Sequence, residues 1–266
     1  MKKSIPHYKF QLLFLGFPLL INTSFISLQK TPPGLKSIVL DAGHGGVDSG
    51  TRGKNSREKD ITLKVALKLG KALKARYRDL KVLYTRTSDV QVPLYKRIAL
   101  ANNAKASLFI SIHCNSLPAN AANRASIKGT ESFVSGFGRL KEQDVALREN
   151  ASILLEKDYK KNYDGYDPRD PESIIIFSLI KNANRDQSIN FARIMQQQYR
   201  KIGRQDRGYK EQSLAVLARA AMPAILTEIG FLSNSAEERY LLSAAGQDEI
   251  VSSQLKAVEA YSKLVD

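Results

Sequence analysis

The chain has 266 residues, 43% hydrophobic and 25% charged, which is the balance of a protein built around a core and excludes a disordered polar chain. Lysine and arginine outnumber aspartate and glutamate 41 to 26, a formal charge of +15 that calls for an anionic partner. The basic residues are scattered and no nucleic-acid-reading motif accompanies them, so an acidic polymer or a membrane surface fits better than nucleic acid.

In chain order, Lys2, Lys3 and Lys9 form a basic leader to an apolar run from Phe10 to Ile21, and Pro32-Pro33-Gly34 then breaks the chain. This order predicts a signal peptide over residues 1–30, or an uncleaved N-terminal anchor through residues 10–21, since no clean small-x-small cleavage site is visible. Either reading sends the protein out of the cytoplasm. A single cysteine, Cys114, leaves no internal disulfide framework, and stability must come from the core of one domain over residues 37–266.

Residues 37–41 predict a buried strand that runs into the glycine-rich loop Ala42-Gly43-His44-Gly45-Gly46. From Glu58 to about Tyr77 the apolar spacing is helical, with Ile61, Val65 and Leu69 on one stripe. Residues 82–85 predict a strand, Pro93 opens a helix to about Ala104, and residues 108–112 form a strand that ends at His113. Residues 130–135 read as a fourth strand, 140–158 and 172–202 as helices, 214–217 and 224–227 as short strands, and a helix from about Ala236 closes the chain. Strands alternating with helices predict an α/β layered fold.

Three histidines occur. His7 lies in the leader, while His44 and His113 both fall at predicted strand ends, where ligand sites of α/β sheets collect. Glu58 shares the buried stripe of its helix, and a carboxylate there is costly unless it is paired or holds a metal. A His-Glu-His set leaves one position open, the pattern of a catalytic zinc site. Glu228 leaves the strand 224–227 and is the candidate general base and acid. Asp41 and Asp48 suit a turn or the orientation of a ligating histidine. Cys114 is a poor nucleophile partner for His113, because adjacent side chains in a strand diverge.

The stretches LDAGHGGVDSG, REKDITL, RTSD, LFISIHCNS, KGTESFVSG and LTEIGFLSN stand in order across residues 38–241. Together they resemble the zinc-dependent N-acetylmuramoyl-L-alanine amidase family of the amidase_3 type. The resemblance implies a mixed, roughly six-stranded sheet flanked by helices in a single catalytic domain. It also implies one zinc ion on His44, Glu58 and His113, and Glu228 as the acid/base that moves a proton from water to the leaving amine of L-alanine. Asn115 is a candidate substrate contact, with a turn-capping role as its alternative. Peptidoglycan is then the anionic partner. An inactive peptidoglycan-binding module, or a zinc peptidase cutting within the stem peptide, remain as alternatives.

A segment of roughly residues 137–181 exceeds what a compact member of this family needs. Such inserts resemble those of the cell-division amidases, in which a helix covers the zinc until an activator removes it. Arg148-Glu149-Asn150 is similar to that helix, and Glu149 is the candidate for the zinc's open position. The resemblance implies daughter-cell separation as the setting, the periplasm as the compartment, and a LytM-like activator as a partner. An ordinary amphipathic surface helix is the alternative.

Overall fold

The computed structural model describes residue 1 and residues 30–32, 34–136, 143–178 and 183–265. Residues 2–29 of the predicted leader, His7 among them, and the first and last residues of the predicted insert lie outside the described residues. No helix among those described is long and apolar enough to cross a membrane.

Six strands form one mixed sheet: β1 (Ser37–Ala42), β2 (Lys81–Tyr84), β3 (Leu108–Asn115), β4 (Thr130–Ser135), β5 (Asp206–Gln212) and β6 (Ala224–Phe231). Their order across the sheet is β2-β1-β3-β6-β4-β5. The pairs from β2 to β6 are parallel, β4 lies antiparallel to β6, and β5 is parallel to β4. The carboxyl ends of β1, β3 and β6 therefore meet on one edge of the sheet, which is where the candidate residues lie.

The two faces of the sheet have different cores. Leu40, Ile110, Ile112, Cys114 and Ile225 pack under the helices α1 (Glu58–Arg76), α6 (Arg185–Lys201) and α9 (Ala244–Ser262). The opposite face carries Val39, Phe109, Phe133 and Leu226, and is covered by α2 (Leu94–Asn103), α3 (Asp144–Asn150) and the one-turn α7 (Ala215–Ala218). Because side chains alternate along a strand, Asp41, Ser111, His113 and Glu228 continue this second face towards the carboxyl ends. Apolar packing thus gives way to polar chemistry along a single face.

The insert packs as a layer of its own. After α3 come a 3-10 turn, Ala151–Leu155, then α4 (Tyr159–Asn162) and α5 (Pro171–Ser178). Ile153, Tyr163, Tyr166 and Phe177 form a small core against Ala215 and Ala218 of α7. The helix predicted over 140–158 therefore breaks at Asn150. That side chain is used across the chain, donating to Tyr166 and to the Ser213 carbonyl and accepting from the Ala215 amide.

Other expectations need correction. Residues 214–217, predicted as a strand, are instead the N-cap and most of the one-turn α7; short apolar runs do not distinguish strand from helix. β5 was not predicted, because its DRGYKEQ sequence lacks apolar alternation and it is an edge strand with mostly half-buried residues. His113 and Glu228 lie inside β3 and β6 rather than beyond their ends, and they face each other in register. The closing helix is two helices, α8 (Ser235–Leu242) and α9, divided at Ser243, whose side chain accepts from Gly246 N–H and caps the second.

Candidate metal centre

His44, Glu58, His113 and Glu149 converge, each buried, with one ligand atom apiece, and those atoms lie within 4.8 Å of one another. His44 enters from the loop after β1, Glu58 from the first turn of α1, His113 from β3 and Glu149 from α3. The two imidazoles stand edge to face, with ring centroids 4.9 Å apart.

Backbone placement comes first. His44 adopts a left-handed conformation, φ 59°, which non-glycine residues rarely accept. Arg97 holds that loop: its Nη2 donates to the His44 carbonyl at 2.8 Å, and its Nη1 to the Ala42 carbonyl and to Asp41 Oδ1. Arg86 adds donations to the carbonyls of Ala42, Gly43 and Lys59, tying the loop to the start of α1. Gly43 is required by proximity, since a Cβ there would stand 2.5 Å from the His113 ring. At Gly50, φ 60°, a Cβ would meet both the His44 ring and Glu58 Oε2 at about the same short distance, 2.5 and 2.6 Å. Both glycines leave room for the ligand side chains.

The donors are then oriented by their neighbours. Asp48 Oδ2 lies 2.8 Å from His44 Nδ1, which turns Nε2 towards the centre. Glu58 is fully buried and accepts Cys114 N–H at Oε1 and Thr51 N–H at Oε2, each at 2.8 Å. Glu58 Oε1 lies 3.1 Å from His44 Nε2 and 3.0 Å from His113 Nδ1; Glu149 Oε2 lies 3.1 and 2.9 Å from the same nitrogens.

These distances suit hydrogen bonds, but the directions do not. His44 Nε2, His113 Nδ1 and Glu149 Oε2 are buried without a directed hydrogen-bond partner. Three orphaned polar atoms in one place are costly, whereas lone pairs aimed at a common centre are what a cation site requires. Two imidazole nitrogens and two carboxylate oxygens are a donor set suited to zinc. The residues fit a metal ion.

Electrostatics agree with that reading. Burial disfavours a charged His113, yet Glu149 and Glu58 outweigh it and push its pKa up to about 10. Burial likewise works against ionising Glu58, but His44 and His113 bring its pKa down to about 2. The carboxylates are ionised and demand positive charge beside them, which protons or a divalent ion can provide.

Glu228 is also fully buried, 0% exposed. Its Oε1 accepts from Arg148 Nη2 at 3.0 Å, while Oε2 has no partner. Burial raises its carboxyl to about 8, with Glu149 and Glu58 adding to the effect and Arg148 opposing it. A raised carboxyl beside a cation site is the profile of a group that exchanges protons near neutrality.

Arg148 was noticed in sequence only as part of a similar stretch. It bridges Glu149 Oε1 at 3.0 Å and Glu228, and also donates to the Ser116 carbonyl. Asn115 is buried and engaged: its Nδ2 donates to Glu131 Oε2 at 2.9 Å and its Oδ1 accepts Ser116 N–H. Those bonds anchor the turn after β3, and the residue also lines the groove beside the site. Asp41 accepts from Thr85, Ser111 and Arg97 and is not among the converging donor residues. Cys114 points into the core under α1, away from His113, and burial pushes its thiol well up.

Arg97, Arg86 and Glu131 were not singled out in the sequence. Arg97 had a signal: it sits beside Ile98 and Ala101 on the buried side of α2, where a cation needs several acceptors.

A profile of the family described as N-acetylmuramoyl-L-alanine amidase matches residues 38–260. The chain is 33% identical over 231 residues to N-acetylmuramoyl-L-alanine amidase AmiC of Escherichia coli, covering 84% of this chain and 52% of that protein. It is 34% identical over 206 residues to the endolysin of Bacillus phage SPP1, covering 77% and 58%. The chain thus spans little more than half the length of these two relatives. Among solved structures, the catalytic domain of CwlV, an N-acetylmuramoyl-L-alanine amidase from Bacillus (Paenibacillus) polymyxa var. colistinus, superposes with a TM-score of 0.62 at 27% identity, covering 85% of this chain and 98% of that one.

Proposed function

Because the chain belongs to the N-acetylmuramoyl-L-alanine amidase family, we propose that it is a zinc hydrolase that cleaves the amide between N-acetylmuramic acid and the L-alanine of the peptidoglycan stem peptide. The observation that carries this reading is the cage of His44, Glu58 and His113 beside the unpartnered Oε2 of Glu228. Those three side chains would hold the zinc, one ion per chain. When bound, zinc supplies Lewis acidity towards the scissile carbonyl and towards water.

The rest is the work of the chain. Glu228 Oε2 takes a proton from the attacking water as its oxygen bonds to the carbonyl carbon. Glu228 then gives that proton to the nitrogen of L-alanine as the C–N bond breaks, so the carboxyl ends as it began. Its buried position keeps it poised near neutrality. Asp48 keeps His44 in the tautomer that directs Nε2 inward. Arg97 and Arg86 keep the His44 loop rigid, which preserves ligand geometry through the cycle.

In the resting arrangement, α3 closes this machinery. Glu149 takes the position that a substrate oxygen needs, and Arg148 engages Oε1 of Glu228. We assign α3 an autoinhibitory role and the insert a regulatory one, with a LytM-like activator as the partner that withdraws it. Residues 37–266 form the catalytic domain, and residues 1–30 direct export to the periplasm, where the activity serves wall remodelling and daughter-cell separation.

Mass spectrometry of purified sacculi digested by the full chain tests the bond. Released stem peptides with a free L-alanine N-terminus support the amidase. Fragments cut inside the stem would make it a peptidase, and the absence of products from zinc-loaded protein lacking Glu149 would make it a binding module.

A further inference from the structure

A groove of about 690 Å³ opens beside the metal centre between the loop after β1, the loop after β3, β5 and α3. It is continuous with the centre through two residues. The Thr51 amide binds Glu58, and Arg148 reaches Glu149 and Glu228, while both residues also line the groove. A substrate whose scissile amide lies at the metal must run into this space on one side.

The walls are strongly cationic, with Arg52, Arg124, Arg148, Arg207 and Lys210 facing Glu131 and Asp144. Three of these cations are already committed. Arg148 serves Glu149 and Glu228, and Arg207 and Lys210 both donate to Glu131 Oε1, at 3.1 and 3.0 Å. Arg52 and Arg124 differ. Among the described residues Arg124 makes no side-chain hydrogen bond or ion pair, and Arg52 makes only an Nε donation to Ser49 Oγ at 3.2 Å. The two also share the wall of the adjoining 340 Å³ hollow near Glu238, which places them at one end of the groove. Leu117, Pro118 and Phe231 give the groove apolar floor for short side chains.

We propose that Arg52 and Arg124 form a carboxylate clamp that recognises an acidic residue of the stem peptide. Resting on the amidase reading, this gives the groove a direction: the peptide lies along the Arg52–Arg124 side, and specificity is read from its charge. Guanidinium forks pair with carboxylates in two parallel hydrogen bonds and lose most of that match when the acid becomes an amide. The affinity therefore depends on the free acid.

The test uses the full chain and two synthetic stem peptides, one beginning L-alanyl-D-glutamate and the other its L-alanyl-D-isoglutamine counterpart, with binding followed by calorimetry. The wild-type chain is expected to bind the acid form about tenfold more tightly, the discrimination of one good charged pair. R124A and R52A are each expected to lose most of that preference, and R124K to keep part of it. Equal binding of both peptides by the wild type, or an undiminished preference in R124A and R52A, overturns the clamp. The wild-type comparison needs no variant, so it stands even if a substitution alters folding. Hydrolysis is measured separately, on sacculi with the E149A chain: if the preference is found but no new L-alanine N-termini appear there, the amidase reading fails while the clamp stands.

Discussion

At the scale of single residues, the centre combines atoms that want a cation with one that wants a proton. Glu228 faces His113 in the register of β3 and β6, so strand pairing alone sets this carboxyl beside a candidate ligand. Replacing Glu228 by Gln keeps the shape and removes the proton exchange. The E228Q chain should lose about 10²–10⁴-fold in turnover while zinc content stays at the wild-type value; retained turnover would remove Glu228 from the mechanism. Asp41 illustrates a structural carboxylate nearby. Burial favours its protonation, but Arg97, Ser111 and Thr85 outweigh it and lower its pKa below 3.8. A depressed carboxyl stabilises the fold above its unfolded pKa, and that contribution is lost as pH falls through the folded value. Urea unfolding of D41N should show a deficit of about 3–5 kcal/mol at pH 7, shrinking at about pH 3, below the ordinary aspartate value. An equal deficit at both pH values would deny the Arg97 pairing its role.

At the scale of elements, α3 is the part whose position matters most. It is fastened to the domain by polar bonds as well as by the apolar contacts of Val145 and Ala146. Gln143 accepts Ser213 N–H, Gln212 accepts Ala146 N–H, and Asn150 binds Ser213 and Ala215. Leu147 stays 41% exposed, which leaves one side of the helix uncovered. Substituting Glu149 with Ala should raise basal hydrolysis of sacculi by about 5–150-fold, the span of an ordinary regulatory coupling, and deletion of residues 140–170 should act in the same direction. Unchanged hydrolysis with zinc retained would return α3 to a purely structural role. The legible part of the site follows from the same elements. The His44 loop, Glu58 on its buried stripe and His113 were readable because chemistry-bearing residues stood where apolar patterns ended or demanded a partner. Arg148 and Arg97 were harder, because each acts through acceptors more than 30 residues away. β5 left no apolar signature, and the register that pairs His113 with Glu228 is a property of the sheet, not of either segment alone.

At the scale of the whole molecule, a sheet with one apolar and one apolar-to-polar face places the converging His44, Glu58, His113 and Glu149 donors, the buried Glu228 and a cationic groove on one edge. The mixed topology matters here, because the reversed β4–β5 pair brings Glu131, Arg207 and Lys210 to the groove beside the ends of β3 and β6. A net charge of +15 suits an anionic partner. The claim on which all else depends is that one zinc ion in the cage drives amide cleavage. The direct measurement is a zinc titration of chelator-stripped protein carrying E149A, followed by the appearance of new L-alanine N-termini from sacculi. Activity should be absent after stripping and should rise to a plateau at one equivalent of zinc per chain. Full activity in the stripped protein, or no recovery when one equivalent is bound, would contradict the account.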